Sequence, residues 1–265
     1  MTEKEYRNSD GISRTELWRL RESPEKFKWF QDHPEPATPA LIFGTVVHKL
    51  LLDPDDFENE FAVSPDVDRR TKDGKEAYNA FLEASSGKAI ITSSDYEKAV
   101  EMAKKASELA FVKKLLDGEH EKPFYWMDDL TGELCKCRVD CFSTISGKAV
   151  VVDYKSTTDA STDGFIRSAI NYGYDFQTGM YCEGIEKVTG QKPLFVFIAQ
   201  EKNPPYSVNI MQADDLMVKR GRDIFRELIG IYHDCKESNN WYGYLGAYNV
   251  INNLSLPAWL AKEVE

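Results

Sequence analysis

The chain has 265 residues, 42% hydrophobic and 29% charged, enough for one large core or two small ones, and a single domain over 1–265 is expected. Thirty-three Lys and Arg against 44 Asp and Glu give a formal net charge of −11, which excludes a passive DNA-coating protein and leaves room only for a local, metal-assisted nucleic-acid contact. No apolar run of about 18 residues exists and the start is charged throughout, so neither a membrane span nor a secretory signal is expected and the reading is cytoplasmic.

In chain order, Ile12, Leu17, Leu20 and Phe27 recur at near-helical spacing over 13–30, behind Ser13 as N-cap with Glu16 as in a capping box, and Pro24 interrupts the segment. Three prolines make 33–39 a connector, and the apolar stretch 41–52 reads as a helix buried nearly all round and closed by Asp53-Pro54. Residues 63–75 read as an exposed loop. Apolar positions from Ala99 to Val112 predict one amphipathic helix over 95–116, begun by Ser93 or Ser94. The period then changes. Runs at 123–127, 134–142 and 149–154 are short, β-branched or aromatic, and predict an antiparallel meander turning at Asp128-Asp129 and Ser146-Gly147. A helix over 164–188 ended by Gly190, a strand over 194–200 and a helix over 213–236 complete an α/β (α+β) pattern, and the tail from Asn239 has no period.

The hairpin around Ser146-Gly147 carries the most information. With those residues as the turn, Asp140 falls opposite Asp153, Arg138 opposite Lys155 and Phe142 opposite Val151, all on one face. Opposed carboxylates have Cβ atoms roughly 4.5–5.5 Å apart, close enough to grip one divalent cation. Taken alone, the hairpin fits a surface salt-bridge cluster with Arg138 and Lys155 equally well. On the other face stand Cys135, Cys137, Val139 and Cys141 with Val150, Val152 and Tyr154. That alternation makes the cysteines core residues, with no metal on sulfur, and five cysteines without paired CxxC motifs argue against a disulfide framework.

Other motifs break the tie. Asp140-x12-Asp153-x-Lys155 resembles the PD-(D/E)xK nuclease signature, and its flanks resemble the RecB-like and lambda-exonuclease-like branch. Gly44 to His48 resembles the GxxxH motif on the helix before the sheet, Glu121 with Phe124-Tyr125-Trp126 the acidic first strand, and Gln177 to Tyr181 the QxxxY motif on the helix after it. Ile12-Ser13-Arg14-Thr15-Glu16-Leu17, Cys137-Arg138-Val139-Asp140 and Tyr174-Asp175-Phe176-Gln177 further resemble the RecE type, exonuclease VIII, of phages and prophages, over roughly residues 12–245. The resemblance implies a restriction-endonuclease-like core, a central mixed sheet with the meander flanked by helices.

It also implies a double-strand DNA exonuclease that works 5′ to 3′, processively, leaving 3′ single-stranded tails for recombination. Two Mg²⁺ or Mn²⁺ ions would be held by His48, Asp140, Asp153 and the Tyr154 carbonyl, with Lys155 on the attacking water or the phosphate charge. Glu121 would assist a metal or a positioned water. A lone histidine in an apolar helix is more often a core residue, and the GxxxH match is what favours the ligand reading of His48. Gln177 and Tyr181, i,i+4 on one helix face, would meet the same phosphate or else make a core-edge hydrogen bond. Ser13 and Arg14, with Gln177, match a region that binds the terminal 5′ phosphate in relatives, although capping alone explains Ser13. The resemblance adds a homo-oligomeric ring, tetramer or trimer, whose lumen would hold Arg69, Arg70 and Lys72, and a single-strand annealing partner. The alternatives are a RecB- or Cas4-like nuclease of other polarity, weakened by the lack of cysteines before Cys135, and a catalytically silent DNA-end binding module.

Overall fold

The computed structural model describes residues 3–248 and 251–256, so the rest of the aperiodic tail, 249–250 and 257–265, lies outside the described residues. The chain starts with α1 (Glu3–Asn8), a two-residue strand β1 (Ile12–Ser13) and α2 (Arg14–Leu20). The capping box is present: the Ser13 hydroxyl accepts from the Glu16 N–H, and the Glu16 carboxylate accepts from the Ser13 N–H at 2.9 Å. Pro24 starts a second helix, α3 (Pro24–Asp32), at the one position where a missing N–H costs nothing.

α4 (Pro39–Leu52) is not buried all round. Phe43, Val46, Val47 and Leu52 are buried while Leu41 is 64% exposed, because the opposite side of the helix walls an open cleft and hydropathy does not separate a cleft wall from a core. The stretch read as a loop over 63–75 is shorter. It is bracketed by β2 (Phe61–Ser64), after a short α5 (Phe57–Glu60), and by α6 (Lys72–Ala84), which the Thr71 side chain caps by accepting from Gly74 N–H. β2 pairs in parallel with β3 (Ala89–Thr92). The single helix expected over 95–116 is two, α7 (Ser93–Glu108) and α8 (Ala110–Leu115), parted by the extended backbone of Leu109 and capped by Thr92 rather than Ser93 or Ser94. Both halves feed one core, through Ala99, Met102, Val112 and Leu115, so the apolar spacing runs on across the break.

The meander is β4 (Glu119–Met127), β5 (Leu134–Ile145) and β6 (Lys148–Thr157). After it, the helix read over 164–188 is split into α9 (Thr162–Tyr172) and α10 (Tyr174–Thr189) by Gly173 at φ +66. A Cβ at Gly173 would come within 2.5 Å of the Trp18 ring, so both the left-handed backbone and the space demand glycine. β7 (Leu194–Glu201), an unforeseen β8 (Val208–Gln212) and α11 (Asp215–Ser238) follow.

The main sheet runs β1-β5-β6-β7-β8, with β4 on the other edge of β5. β1–β5 and β6–β7 are parallel and the remaining pairs antiparallel, so it is a mixed sheet. One face packs Cys135, Cys137, Val151 and Phe197 against Leu17, Phe176, Met180 and Phe225 of α2, α10 and α11. The other packs Cys141, Val150, Val152 and Ile198 against Val46, Val47, Met102 and Leu115 of α4, α7 and α8. Each large side chain so buried contributes about 1.5–3 kcal/mol.

Two features of the meander shape the site. The β5–β6 ladder has the expected register from Ile145↔Lys148 to Cys141↔Val152 and stops there, so Asp140 and Asp153, and Arg138 and Lys155, are not cross-strand partners. In addition, Cys135, Cys137 and Val139 enter one core and Cys141 the other, so the one continuous cysteine face read from the sequence is two. The alternation of β5 reverses at Asp140, and across from it Glu121 on β4 has a left-handed backbone at φ +51. Such a backbone in a residue with a side chain costs about 1–3 kcal/mol and gathers at functional sites.

Candidate active site

The splayed end of β5 and β6 opens into a cleft of about 960 Å³, walled by α4, α9, the start of α10 and residues of α1 and α2. His48, Glu121, Tyr154, Lys155, Gln177 and Arg14 all line it. Two groups of side chains form its floor.

In the first group His48 bridges two carboxylates. Its Nε2 is 2.8 Å from Asp140 Oδ2 and its Nδ1 is 3.2 Å from Glu121 Oε1. Asp140 fills the gap left by the splayed strands, since Oδ2 also accepts the Tyr154 N–H at 2.7 Å where a ladder bond would otherwise be. Burial works against the His48 charge, but Asp140 and then Glu121 outweigh it, so the imidazole pKa stands above its ordinary value. Burial works against the Asp140 charge too, and His48, Lys155 and the Tyr154 N–H outweigh it, leaving that carboxyl below the usual range.

The second group is Asp153, Lys155 and Gln177. Asp153 is 2% exposed, pairs with the Lys155 ammonium and accepts from the Gln177 amide. Burial, and repulsion from Asp140, push its pKa up despite Lys155 and Gln177. Lys155 is opposed by burial yet held above its ordinary value by Asp153 and Asp140, and its ammonium lies 5.0 Å from the Tyr174 ring centroid.

Do these residues suit divalent cations? One ligand atom from each of His48, Glu121 and Asp140 lies within 4.8 Å of the others, a hard oxygen set with one imidazole. Nearby, Asp153 Oδ2 is buried against the Lys155 ammonium without an aligned hydrogen bond, and burial, with Asp140, raises its pKa. The donor set fits Mg²⁺ or Mn²⁺. By contrast, burial pushes the thiols of Cys135 and Cys141 up to about 12, so both are protonated and packed as core at neutral pH.

The other expected residues divide. Gln177 lines the cleft, but Tyr181 does not: it is nine-tenths buried with its ring against Phe195, 6.2 Å between centroids. One turn of α10 carries Tyr181 below the floor and into the core. The Ser13 hydroxyl is occupied by Glu16, as capping alone requires. Arg14 reaches the cleft, donating to the Gly173 carbonyl at 2.9 Å and to that of Tyr172, with its guanidinium 5.4 Å from the Trp18 ring. Its Nε is buried and without a hydrogen-bond partner. Arg138, expected across from Lys155, instead bonds Glu121 Oε2 at 2.7 Å. Arg7, Trp18 and Lys202 also line the cleft, and no periodicity or motif announced them.

Comparison with known proteins agrees with this architecture. A solved structure from Eubacterium rectale, described as a "putative exonuclease", matches 99% of this chain and 97% of its own at 15% identity with a TM-score of 0.65, a likeness of fold. A second, SSO0001, covers 84% of this chain and 81% of its own at 13% identity, with a TM-score of 0.39, a level at which a common architecture does not follow. No curated protein matches the sequence. Residues 13–253 match the family described as a PDDEXK-like domain of unknown function (DUF3799), in keeping with the restriction-endonuclease-like sheet, and the chain belongs to that family.

Proposed function

We propose that the protein is a divalent-metal-dependent exodeoxyribonuclease acting on ends of double-stranded DNA, 5′ to 3′ and processively, leaving 3′ single-stranded tails for recombination. The observation that carries this reading is that His48, Glu121 and Lys155 line one cleft at the splayed strands while Asp140 and Asp153 lie directly behind them, paired with His48 and Lys155. In this reading His48, Glu121, Asp140, Asp153 and the Tyr154 carbonyl would hold the Mg²⁺ or Mn²⁺ ions. Bound, the ions supply an activated water and neutralise the charge that builds on the phosphorane-like state.

The chain's own groups do the rest. Lys155 carries a positive charge on the cleft wall and can orient the nucleophilic water or stabilise the phosphate oxygens. Gln177 fixes the Asp153 carboxylate. Arg14, with one buried N–H still without a partner, takes the terminal 5′ phosphate, and that grip sets the polarity. Ser13 and Tyr181 support this pocket from behind, through the capped helix and the packed ring. A ring of subunits around the duplex would place basic side chains in its lumen and reconcile a net charge of −11 with DNA binding, and a single-strand annealing protein would receive the product.

Digestion of a linear duplex labelled separately at each end, with and without Mg²⁺, tests activity, metal and direction together. Mg²⁺-dependent loss of the 5′ label first is the expected result. Loss of the 3′ label first would support the RecB-like polarity, and DNA binding with no cleavage in either Mg²⁺ or Mn²⁺ would support the silent module.

A further inference from the structure

Residues 3–9 precede the span that matches the family, yet they are built into the cleft: Glu5 and Arg7 line it. The tether is a lysine inside the sheet. Lys136, only 3% exposed, donates to the Tyr6 carbonyl at 3.0 Å, the Arg7 carbonyl at 3.4 Å and the Ser9 carbonyl. These acceptors lie at and just past the C-terminal, electronegative end of α1, where the Tyr6 carbonyl also accepts the Ser9 N–H and hydroxyl, so one buried ammonium is satisfied and α1 is fixed by the same contacts. Without them a buried charge would stand alone, at a cost of several kcal/mol.

Docked in this way, α1 presents Tyr6 to the strand bearing the site. The Arg138 guanidinium is 5.3 Å from the Tyr6 ring centroid, within cation–π range, and the same ring packs at 6.5 Å from that of Tyr125. The Tyr125 hydroxyl is hydrogen-bonded to that of Ser9 at 2.9 Å, closing the link back to the end of α1. Arg138 is therefore held between Tyr6 and Glu121, and Glu121 lies between Arg138 and His48. Glu121 needs that hold: its left-handed backbone is not one its own preference would keep.

We infer that α1 is a positioning element of the metal cluster, in which Lys136 anchors the helix, Tyr6 holds Arg138, and Arg138 turns Glu121 toward His48 and Asp140. The inference rests on the metal-dependent reading above and adds Tyr6, Lys136 and Arg138 as positioning residues. Partners standing behind a metal ligand are worth about 10–100-fold in metal affinity.

The test is Mn²⁺ binding by the full chain, followed by the electron paramagnetic resonance of free Mn²⁺, with melting curves alongside. Tyr6→Leu should weaken binding about tenfold. Tyr6→Phe, which keeps the ring, should bind as wild type does. In a Glu121→Gln background Tyr6→Leu should cost nothing further, because the ligand it positions is already gone. A Tyr6→Leu variant that binds Mn²⁺ as wild type does, one whose loss persists in full beside Glu121→Gln, or one that unfolds would each overturn the inference; in the last case α1 would be serving the fold. Lys136→Met should match Tyr6→Leu in metal affinity if it folds, but Tyr6 carries the test. A wild-type chain that holds no Mn²⁺ would overturn the metal reading itself, so the two failures are told apart.

Discussion

Asp140 and Asp153 stand on neighbouring strands of one hairpin, yet the fold treats them differently. Asp140 bridges a strand gap: it accepts the Tyr154 N–H, meets His48 and is held below the usual carboxylate range, opposed by burial but favoured by His48 and Lys155. Asp153 sits 2% exposed beneath the cleft, and burial together with Asp140 drives its pKa upward although Lys155 and Gln177 pull the other way. One carboxylate ties the strands together as well as meeting His48. The other is disfavoured as a charge by burial and by Asp140, which in the proposed reading a cation would offset. The contrast separates stability from activity, and mutation can exploit it.

The largest effects should come from the two acids. Asp153→Ala should reduce Mg²⁺-dependent cleavage to below a few per cent of wild type, roughly a hundredfold loss, while costing less stability than Asp140→Ala, because relief of burial and of repulsion from Asp140 offsets the lost Lys155 pair and Gln177 hydrogen bond. Asp140→Ala should be equally inactive but should melt lower by about 1–3 kcal/mol, since it leaves the Tyr154 N–H buried without a partner. If both variants kept the same melting temperature, the asymmetry between the two acids would be lost. Next is Lys155→Ala, expected to lower the rate by about 10²-fold without lowering Mn²⁺ affinity, because an ammonium is no ligand for a divalent ion. Equal loss of rate and metal affinity would remove its separate role.

Smaller effects probe what surrounds the acids. Arg14→Ala should abolish the preference for a 5′-phosphorylated over a 5′-hydroxyl end in the initiation rate, a preference expected to be about tenfold, or ~1.4 kcal/mol. Equal initiation on both ends by wild type would take Arg14 out of the phosphate pocket. Gln177→Leu removes one charge-assisted hydrogen bond to the Asp153 carboxylate and should slow the reaction by about tenfold, or ~1.4 kcal/mol, a rate loss smaller than that of Lys155→Ala. A larger loss in Gln177→Leu than in Lys155→Ala would reverse that order.

What the sequence made legible follows from local physics. The capping box at Ser13 and Glu16, the turn at Ser146-Gly147 and the register of β5 on β6 next to that turn, as far as Cys141↔Val152, depend on residues a few positions apart and stand as read. The limits appear where distant parts meet. Gly173 looks like any helix glycine until Trp18 arrives from another segment, and the apolar spacing from Ala99 to Val112 crosses a break because both helices press on one core. Periodicity assumed one face for β5, so the reversal at Asp140, and with it the placing of Cys141 in the second core, was beyond its reach.

The site divides in the same way. Its candidate acids, His48, Lys155 and Gln177 were singled out by motif and lie together in the structure, while the link from Glu121 to His48 and the placing of Arg138 go with the left-handed turn at Glu121. Tyr181 is placed by the whole of α10: its ring packs beside Phe195 in the core, and the residue stays within electrostatic reach of Arg14 and Asp153 beneath the cleft.

The central claim is that the cleft is a metal-dependent nuclease site in which Asp140 and Asp153 act together. The most direct measurement pairs Mn²⁺ affinity with the rate of duplex digestion, in Mg²⁺ and in Ca²⁺, for wild type and for Asp140→Asn and Asp153→Asn. The account predicts that wild type binds Mn²⁺ and cuts in Mg²⁺, that Ca²⁺ supports DNA binding without turnover, and that both amides fail to cut. Robust cleavage by either variant in Mg²⁺, or by wild type in Ca²⁺ alone, would contradict it.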